Sequence, residues 1–353
     1  MADSLKRIRA RIDALDDQLL KLINRRAGFA QTVARIKGNA HAYRPEREAQ
    51  ILRRLTAANR GPLPDAAVAR LYAELVSACR AMEAEFRVAY LGPRGTYSEE
   101  AVGKHFGGMV QAMPQASFDE VFRAVEAGEC GYGVVPVENS TEGTIGRTLD
   151  LLLTTPLRIC GEVLLPVHQC LMNKSGNAAR VARVYSHSQS LAQCHEWLNH
   201  RYPQAERVPV VSNAEAARLA SKEARAAAIA GRTAARVYGL KLLARNIEDD
   251  PNNTTRFLVI GPHGAGPSGR DKTSLVMSTR NLPGAVHGLL TPLAKNGVSM
   301  TKLESRPSRT GMWEYLFYVD LEGHAEEPRL KRALAALTRK AAMLKVLGSY
   351  PAA

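Results

Sequence analysis

The sequence predicts three structural units: an all-helical unit, an α/β unit and a smaller α+β unit. In the first 86 residues, apolar side chains recur at alternating steps of three and four, as amphipathic helices require. Residues 87–262 alternate short apolar runs with helical stretches, which indicates an α/β arrangement. Residues 273–353 follow a β-α-β-β-α order. At 353 residues the chain is long enough for two or three domains.

The first predicted helix carries a heptad pattern of apolar residues, which we call the apolar seam. The seam consists of Leu5, Ile8, Ile12, Leu15, Leu19, Leu22, Phe29, Val33 and Ile36. At 1.5 Å per residue it would extend over about 50 Å, longer than one compact monomeric core can cover. We therefore expect a second chain to pair with it.

Arg26 interrupts the apolar seam at a position where leucine or isoleucine is due. A guanidinium on an apolar face needs an anion. Because arginine binds carboxylates bidentately, a dicarboxylate is the natural ligand.

Two further helices complete the helical unit. A break at Gly38 ends the first helix, and Pro45 begins the second. The third extends to about residue 86 and places Cys79 and Glu83, four residues apart, on one face.

Three polar strings follow predicted strands of the α/β unit. They are GPRGTYS at 92–98, VPVENSTEGTI at 135–145 and SHSQSLAQC at 186–194. Their hydroxyls, amides and glycines suit an anion held at a helix N-terminus. GPRGTYS has neither the lysine of a phosphate loop nor the spacing of a dinucleotide site, so no cofactor is predicted. His195 and His200 lie about 140° apart on a helix, so no metal site is predicted either.

The last part of the chain begins with a linker. Residues 261–272 hold four glycines and two prolines, which cannot maintain a regular element. Beyond them, strands and helices in β-α-β-β-α order, with one more strand near 344–347, indicate a ferredoxin-like unit. The predicted divisions of the chain are 1–86, 87–262, the linker 263–272, and 273–353.

The net charge of +14 favours an anionic partner, either nucleic acid or a small metabolite. The charge is dispersed along helices without a block of like charges, so nucleic acid is not expected. No apolar run is long enough to span a membrane, and the charged N-terminus lacks the apolar core of a secretory signal. We expect a cytoplasmic protein with no membrane partner. Its five cysteines, which include no CxxC pair, are expected to be reduced.

Taken together, these strings resemble the bifunctional chorismate mutase/prephenate dehydratase family of phenylalanine biosynthesis, over essentially the full length. NNTTRF at 252–257 extends the dehydratase resemblance, and NLPGAV at 281–286 and ESRP at 304–307 resemble its phenylalanine-sensing ACT domain. The resemblance implies a helical mutase domain, a two-lobed α/β dehydratase domain like periplasmic ligand-binding proteins, and a ferredoxin-like ACT domain. It also implies conversion of chorismate to prephenate and of prephenate to phenylpyruvate, with inhibition by L-phenylalanine.

For the mutase, the resemblance implies a helical dimer that binds the chorismate dianion and stabilises charge on its ether oxygen. Arg26, Lys37 and Glu83 would be catalytic. The chorismate-binding positions would be Arg9, Arg26, Lys37, Arg47, Glu48, Cys79 and Glu83, with Arg9 reaching across from the partner. Cys79 and Glu83 stand where serine and glutamine are familiar, and Arg44 stands where aspartate can occur. Because a carboxylate cannot donate a hydrogen bond, Glu83 would have to be protonated.

For the dehydratase, Thr255 matches the family's essential threonine. A hydroxyl is a weak acid, so we expect it to position or relay a proton to the departing hydroxyl of prephenate. The candidate prephenate contacts are Thr96, Ser98, Asn139, Ser140, Ser186, His187, Gln189, Gln193, Thr255 and Arg256. Arg256 fits either a substrate carboxylate or a structural ion pair, and His187 is a candidate for the catalytic acid.

For the ACT domain, a helix N-terminus beside apolar residues suits a free amino acid with a hydrophobic side chain. The resemblance identifies it as phenylalanine. The predicted contacts are Asn281, Leu282, Pro283, Gly284, Ala285, Val286, Glu304, Ser305 and Arg306. Paired ACT domains would enclose the ligand, so a homodimer or higher oligomer is expected. Two alternatives stay open: a dehydratase with a silent mutase domain, and a non-enzymatic amino-acid-sensing regulator.

Overall fold

The computed structural model describes residues 2–37, 43–83, 85–279, 282–307 and 315–353. The three predicted fold classes occur in the predicted order, so the fold-class prediction is confirmed. Within the described ranges, no helix is both long enough and apolar enough to cross a membrane.

The helical unit consists of three helices. They are α1 (Ala2–Lys37), α2 (Pro45–Ala58) and α3 (Asp65–Ala81). Helix α3 contacts both of the others. The nine residues of the apolar seam on α1 stay between 45% and 80% exposed in the single chain. The predicted break at Gly38 lies outside the described residues.

Helix α3 ends at Ala81, before the predicted end near residue 86. Phe86 instead joins an aromatic cluster, with ring centroids 6.1 Å from Tyr43, 5.3 Å from Phe106 and 5.4 Å from Tyr132. Two of these partners belong to the α/β unit. Packing between the two units therefore determines the position of Phe86. The apolar spacing that predicted a helix up to this residue is overridden by these contacts.

The α/β unit begins with one lobe built on a mixed sheet. Its elements are β1 (Arg87–Leu91), α4 (Tyr97–Phe106), β2 (Gln111–Gln115), α5 (Phe118–Glu126), β3 (Tyr132–Asn139), β4 (Gly143–Thr144), α6 (Gly146–Thr154) and β5 (Arg158–Pro166). In this sheet β1 pairs in parallel with its two neighbours, and the remaining pairs are antiparallel. The glycines and hydroxyls of the first two polar strings follow β1 and β3, where strands give way to helices or turns.

A second lobe follows, and the chain then returns to the first sheet. The elements of this lobe are β6 (Cys170–Asn173), β7 (Arg183–Ser186), α7 (Ser188–Gln193), α8 (His195–Arg201), β8 (Glu206–Pro209), α9 (Asn213–Ala220), β9 (Ala226–Ala230), α10 (Arg232–Tyr238) and β10 (Lys241–Arg245). The returning strand is β11 (Thr254–Gly261).

The strand orders explain how a cleft arises. The first sheet runs β2-β1-β3-β11-β5 and the second β10-β6-β9-β7-β8. Strand β11 inserts antiparallel between β3 and β5. The chain therefore crosses between the lobes twice, at residues 167–169 and 246–253, and the two lobes face each other across these crossings.

The C-terminal unit is a four-stranded antiparallel sheet with two helices on one face. Its elements are β12 (Asp271–Ser278), α11 (Ala285–Lys295), β13 (Met300–Pro307), β14 (Tyr315–Glu322), α12 (Pro328–Thr338) and β15 (Met343–Pro351), in the order β13-β14-β12-β15. Its other face packs on the first lobe, where Val276 and Tyr350 share a core with Ile159. Gly348 permits the close approach of β15 to β5, because a Cβ there would overlap the backbone of Ile159.

Candidate active sites

A cavity of about 350 Å³ lies between the two lobes of the α/β unit. The first lobe lines it with the segments that follow β1 and β3 and with the start of β11. The second lobe contributes the N-terminal ends of α7 and α9. Both lobes are needed to form it, as expected for a site in an interlobe cleft.

Thr255 and Asn139 lie side by side in this cavity, paired across β11 and β3. The Asn139 Nδ2 donates to Thr255 Oγ1 at 2.8 Å and to Asn253 Oδ1 at 2.8 Å. The Asn139 Oδ1 accepts from the Thr141 backbone N–H at 3.0 Å, which fixes the orientation of the amide. Because Thr255 accepts from Asn139, its own hydroxyl proton is available to a group in the cavity.

The second lobe holds a matching polar network around Ser190. The Ser190 Oγ accepts from Asn213 Nδ2 at 2.8 Å and from Gln169 Nε2 at 3.0 Å. The Asn213 Oδ1 accepts from Ser186 Oγ and from the His187 backbone N–H. Ser190 therefore also keeps its proton for a ligand, in a side chain oriented by two amides.

Positive potential in the cavity comes from helix dipoles instead of basic side chains, and the Glu142 carboxylate also lines the cavity. Among the described residues that line it, none is lysine or arginine. The N-termini of α4 and α9 border it, one from each lobe, capped by Thr96 and Ser212. The free N–H groups of two helix N-termini favour an anion between them.

Seven of the ten predicted prephenate contacts line the cavity: Thr96, Ser98, Asn139, His187, Gln189, Gln193 and Thr255. Ser140 and Ser186 do not. Ser186 is fully buried, and its one hydroxyl proton is shared between Asn213 Oδ1 and the Ile229 carbonyl, both at 2.9 Å, whereas Ser140 Oγ accepts from the Thr254 backbone N–H at 2.9 Å. Neither hydroxyl lines the cavity, so their contact with substrate stays a prediction.

Arg256 requires a correction, because it lies on the face of β11 opposite to Thr255. Its guanidinium bonds Glu162 at 2.8 Å, Asp320 at 2.5 Å and the Tyr350 hydroxyl at 2.9 Å. Of the two roles left open by the sequence, the structure has the ion pair.

The lining residues missed by sequence reasoning include Gln169, Ser190, Asn213 and Asn253. Ser190 and Asn253 fall inside polar strings that had been singled out, so their signal was present. Gln169 and Asn213 stand in a crossing segment and at a helix start, where nothing in the local pattern distinguishes them.

In the helical unit, Arg26 meets α3. Its Nη1 donates to Cys79 Sγ at 3.1 Å. Glu48 accepts from Arg80 at 3.0 Å, and burial raises the pKa of the Glu48 carboxyl, a shift opposed by the nearby Arg80 and Arg26 and reinforced by Glu83. Arg26, Glu48, Cys79 and Glu83 therefore lie close enough to interact and form one cluster.

Three predicted chorismate contacts are not part of this cluster. Arg9 precedes Arg26 by 17 residues on the same helix, which is about 25 Å at 1.5 Å per residue. Arg47 is exposed on α2. The side chain of Lys37 lies outside the described residues. One chain therefore supplies only part of the predicted mutase site.

In the C-terminal unit, α11 begins after Gly284, which adopts a left-handed conformation with φ of 75°. Leu282 and Val286 flank this start and are exposed, while Asn281 lies outside the described residues. The register pairs both Ser278 and Arg306 with Leu316. The end of β13 and the approach to α11 therefore share one end of the sheet.

The ESRP string is divided between the two faces of this sheet. Arg306 forms an ion pair with Asp150 of the first lobe at 3.3 Å, and Glu304 shares its face by strand alternation. Ser305 points to the opposite face, which carries α11 and α12. Of these three predicted contacts, only Ser305 shares a face with the helix start.

Three sequence families match the chain in succession. Chorismate mutase type II matches residues 8–84, prephenate dehydratase 88–265 and the ACT domain 273–339. A bifunctional chorismate mutase/prephenate dehydratase of Neisseria gonorrhoeae is 52% identical over 345 residues, which cover 97% of this chain and 95% of that protein.

Two solved structures resemble the α/β and C-terminal units. The prephenate dehydratase of Arthrobacter aurescens in complex with L-Phe has a TM-score of 0.70 and 33% identity, covering 75% of this chain and 90% of that one. A protein described as a novel type of quorum quenching acylase has a TM-score of 0.71 and 31% identity, covering 76% of this chain and 98% of that one.

An interlobe anion cavity, an ACT domain and an N-terminal helical mutase domain together define a multidomain enzyme of aromatic amino-acid biosynthesis. The chain belongs to the bifunctional chorismate mutase/prephenate dehydratase family. The predicted family and both predicted enzymatic activities are thereby confirmed.

Proposed function

We propose that the interlobe cavity is where prephenate is dehydrated, with Thr255 as the central residue. The observation that carries this is the Asn139 bond to Thr255 Oγ1, which leaves the threonine proton for the substrate. As the bond from the ring carbon to its carboxylate breaks, that carboxylate leaves as carbon dioxide, and the electrons of the bond aromatise the ring and expel the ring hydroxyl. That hydroxyl leaves as water once it receives a proton, which Thr255 positions or relays.

The substrate carboxylates are held without a cation. The N-termini of α4 and α9, with Thr96, Ser98, Gln189 and Gln193, supply neutral donors. His187 lines the same cavity and is the candidate for the acid that resupplies the proton. Ser190 and Asn213 join the set that orients the substrate.

For the mutase, we propose that Arg26, on α1, binds a carboxylate of chorismate. Lys37, Arg47, Glu48 and Cys79 complete the site. Arg9 reaches it from the partner chain in a homodimer or higher oligomer. The exposed apolar seam supports this arrangement, because it would be covered by the same pairing.

Glu83 acts in the protonated form. An ionised carboxylate facing the ether oxygen would repel the negative charge that grows there, so mutase turnover falls as pH rises through the Glu83 pKa. Glu83→Gln donates at every pH and should flatten that fall. An unchanged pH profile of turnover in the variant would remove Glu83 from the site.

L-Phenylalanine is the proposed inhibitor, bound by the ACT domain at the start of α11. Leu282, Pro283, Gly284, Ala285 and Val286, with Asn281 and Ser305, form its site, which a second ACT domain encloses. The Arthrobacter aurescens relative solved in complex with L-Phe supports this choice. The proposed location is the cytoplasm, and the proposed domain limits are 1–86, 87–262 and 273–353, joined by the linker 263–272.

The test is an assay of the purified protein on chorismate, followed at both prephenate and phenylpyruvate. Appearance of both products is expected. Phenylpyruvate from added prephenate, without any prephenate from chorismate, would mean a silent mutase domain. Absence of both would favour a sensing protein. The acylase neighbour matches three quarters of the chain at 31% identity, against 97% at 52% for the bifunctional relative, so acyl transfer is not proposed.

A further inference from the structure

The strand pair that carries Thr255 and Asn139 has a second, functional face. The register pairs Thr255 with Asn139 and Arg256 with Glu138. Because side chains alternate along a strand, the first pair faces the cavity and the second faces the ACT sheet. Thr255 and Asn139 are therefore each one peptide bond from a charged residue directed at the regulatory domain.

Both of these charged residues are held by the ACT domain. Arg256 contacts Asp320 of β14 at 2.5 Å and Tyr350 of β15 at 2.9 Å. Glu138 accepts from Lys302 of β13 at 2.8 Å. Three of the four strands of the ACT sheet thus reach the back of two neighbouring strands in the first lobe.

Most of the cluster is buried and its charges balance. The side chains of Arg256, Asp320 and Glu162 are 11%, 8% and 1% exposed. Lys272 of β12 adds a 2.8 Å bond to Glu162, so three cations face three carboxylates. Separating one charge of a buried ion pair from its partner strongly destabilises the fold, because the remaining charge is buried without compensation. Such a network therefore tolerates few alternative geometries.

These contacts make the hydrogen bond from Asn139 to Thr255 sensitive to the position of the ACT sheet. A hydrogen bond weakens over a few tenths of an ångström, and a misplacement of about 1 Å at a reacting group can lower turnover as much as about 100-fold. A small shift of β13 and β14 would be transmitted through Lys302 and Asp320 to the backbone of β3 and β11.

We propose that the pairs Glu138–Lys302 and Arg256–Asp320 are positioning residues. Through them the ACT domain sets the geometry of Asn139 and Thr255, and through them its ligand changes dehydratase turnover. This inference rests on the proposed dehydratase site and on phenylalanine as the effector. The ligand can act in this way only by its different affinity for the two arrangements of these pairs.

The Glu138–Lys302 pair is the better one to test, because Glu138 is 38% exposed and the substitutions are less disruptive there. Lys302→Met removes the charge, Lys302→Arg keeps it, and the double variant Glu138→Lys, Lys302→Glu reverses the pair. The full-length chain is assayed on added prephenate with and without phenylalanine. Mutase turnover and the thermal midpoint report folding.

Lys302→Met is expected to lower dehydratase kcat about tenfold with KM within about twofold, because geometry is changed and substrate donors are not. It should still bind phenylalanine in calorimetry but require at least about tenfold more for half-inhibition. Lys302→Arg should recover most of both, and the reversed pair should recover less, because a lysine at 138 would lie beside Arg256, which is 4.0 Å from the present carboxylate. A lower thermal midpoint with kcat and half-inhibition within about twofold of the parent would overturn the inference, leaving a purely structural interface.

Failure of the dehydratase site and failure of the positioning role give different experimental results. No phenylpyruvate from the unmodified protein would refute the dehydratase site itself. A parent enzyme that is active but indifferent to phenylalanine would refute the signalling role, while the kcat values of Lys302→Met and of the reversed pair would still decide the positioning role.

Discussion

The dehydratase cleft and the mutase helix α1 differ in how completely one chain builds each site. In the cleft, Gln193 of one lobe donates to Thr141 of the other at 3.3 Å, and the polar lining comes from both lobes. On α1, the apolar seam is largely exposed and Arg9 lies far from Arg26. A periodic apolar pattern therefore predicts that a helix face is buried, but it does not show which chain covers that face.

The seam is too large to be left in water. Full burial of one Leu, Ile, Val or Phe side chain contributes about 1.5–3 kcal/mol. Nine such residues at roughly half exposure are a strong driving force for pairing two copies of α1. The dehydratase cleft has no such need, so the two activities should respond differently to changes at the chain pairing.

The largest effect is expected for Thr255→Ala. Phenylpyruvate formation from prephenate should fall by about 10³-fold or more, because the positioned proton donor is lost. Prephenate should still accumulate from chorismate, since the mutase lies in another domain. Thr255→Val fills the same space without a hydroxyl, and if it retained most activity the hydroxyl would have no part in proton transfer.

Next is Arg26→Ala, which should lower mutase turnover by about 10² to 10³-fold, the usual cost of losing one preorganised charge-stabilising donor. Dehydratase activity on added prephenate should stay within about twofold. Arg26→Lys keeps the charge without the fork and should fall in between. An equal loss of both activities would indicate that Arg26 holds the fold instead.

The sequence identified most of the fold and the interior of the site, and the remaining differences have two causes. The C-terminal unit has the predicted β-α-β-β-α order with a further strand, and seven of ten predicted prephenate contacts line the cavity. Arg256 was misplaced although strand alternation already puts it opposite to Thr255. Gln169 and Asn213 could not be found, because their closeness depends on how the chain crosses between lobes.

A smaller effect is expected for Leu19→Glu, which places a charge in the apolar seam. Pairing of chains should weaken, seen as a lower mass in analytical ultracentrifugation, and mutase turnover should drop at least about tenfold as Arg9 of the partner is withdrawn. Asn24→Glu puts the same charge on the outer face of α1 and should change neither. Dehydratase turnover should stay within about threefold in both variants. Intact mutase activity in a monomeric Leu19→Glu protein would mean that each chain has a whole site.

The smallest effect concerns His105, which lies where the helical unit contacts the first lobe of the α/β unit. Its Nε2 accepts from the Tyr43 hydroxyl at 2.5 Å, and burial, aided by the nearby Arg80, lowers its pKa to about 3. Between about pH 6.5 and pH 3, His105 is therefore neutral in the folded state but protonated in the unfolded chain, where its pKa is about 6.5. Stability is fully present above that pH and is lost as pH falls toward 3, by about 2 kcal/mol between pH 7 and pH 5.

His105→Gln offers an amide oxygen to Tyr43 and carries no titrating group, so urea unfolding at pH 7 and pH 5 should show most of that loss removed. His200→Gln, at an exposed histidine on α8, is the matched control and should behave like the parent. Because His105 belongs to α4 and Tyr43 precedes α2, the change reports the junction between the mutase helices and the dehydratase lobe. If His105→Gln lost stability with acid as steeply as the parent, the acid sensitivity would belong to groups elsewhere, and the junction would not be held by a neutral histidine.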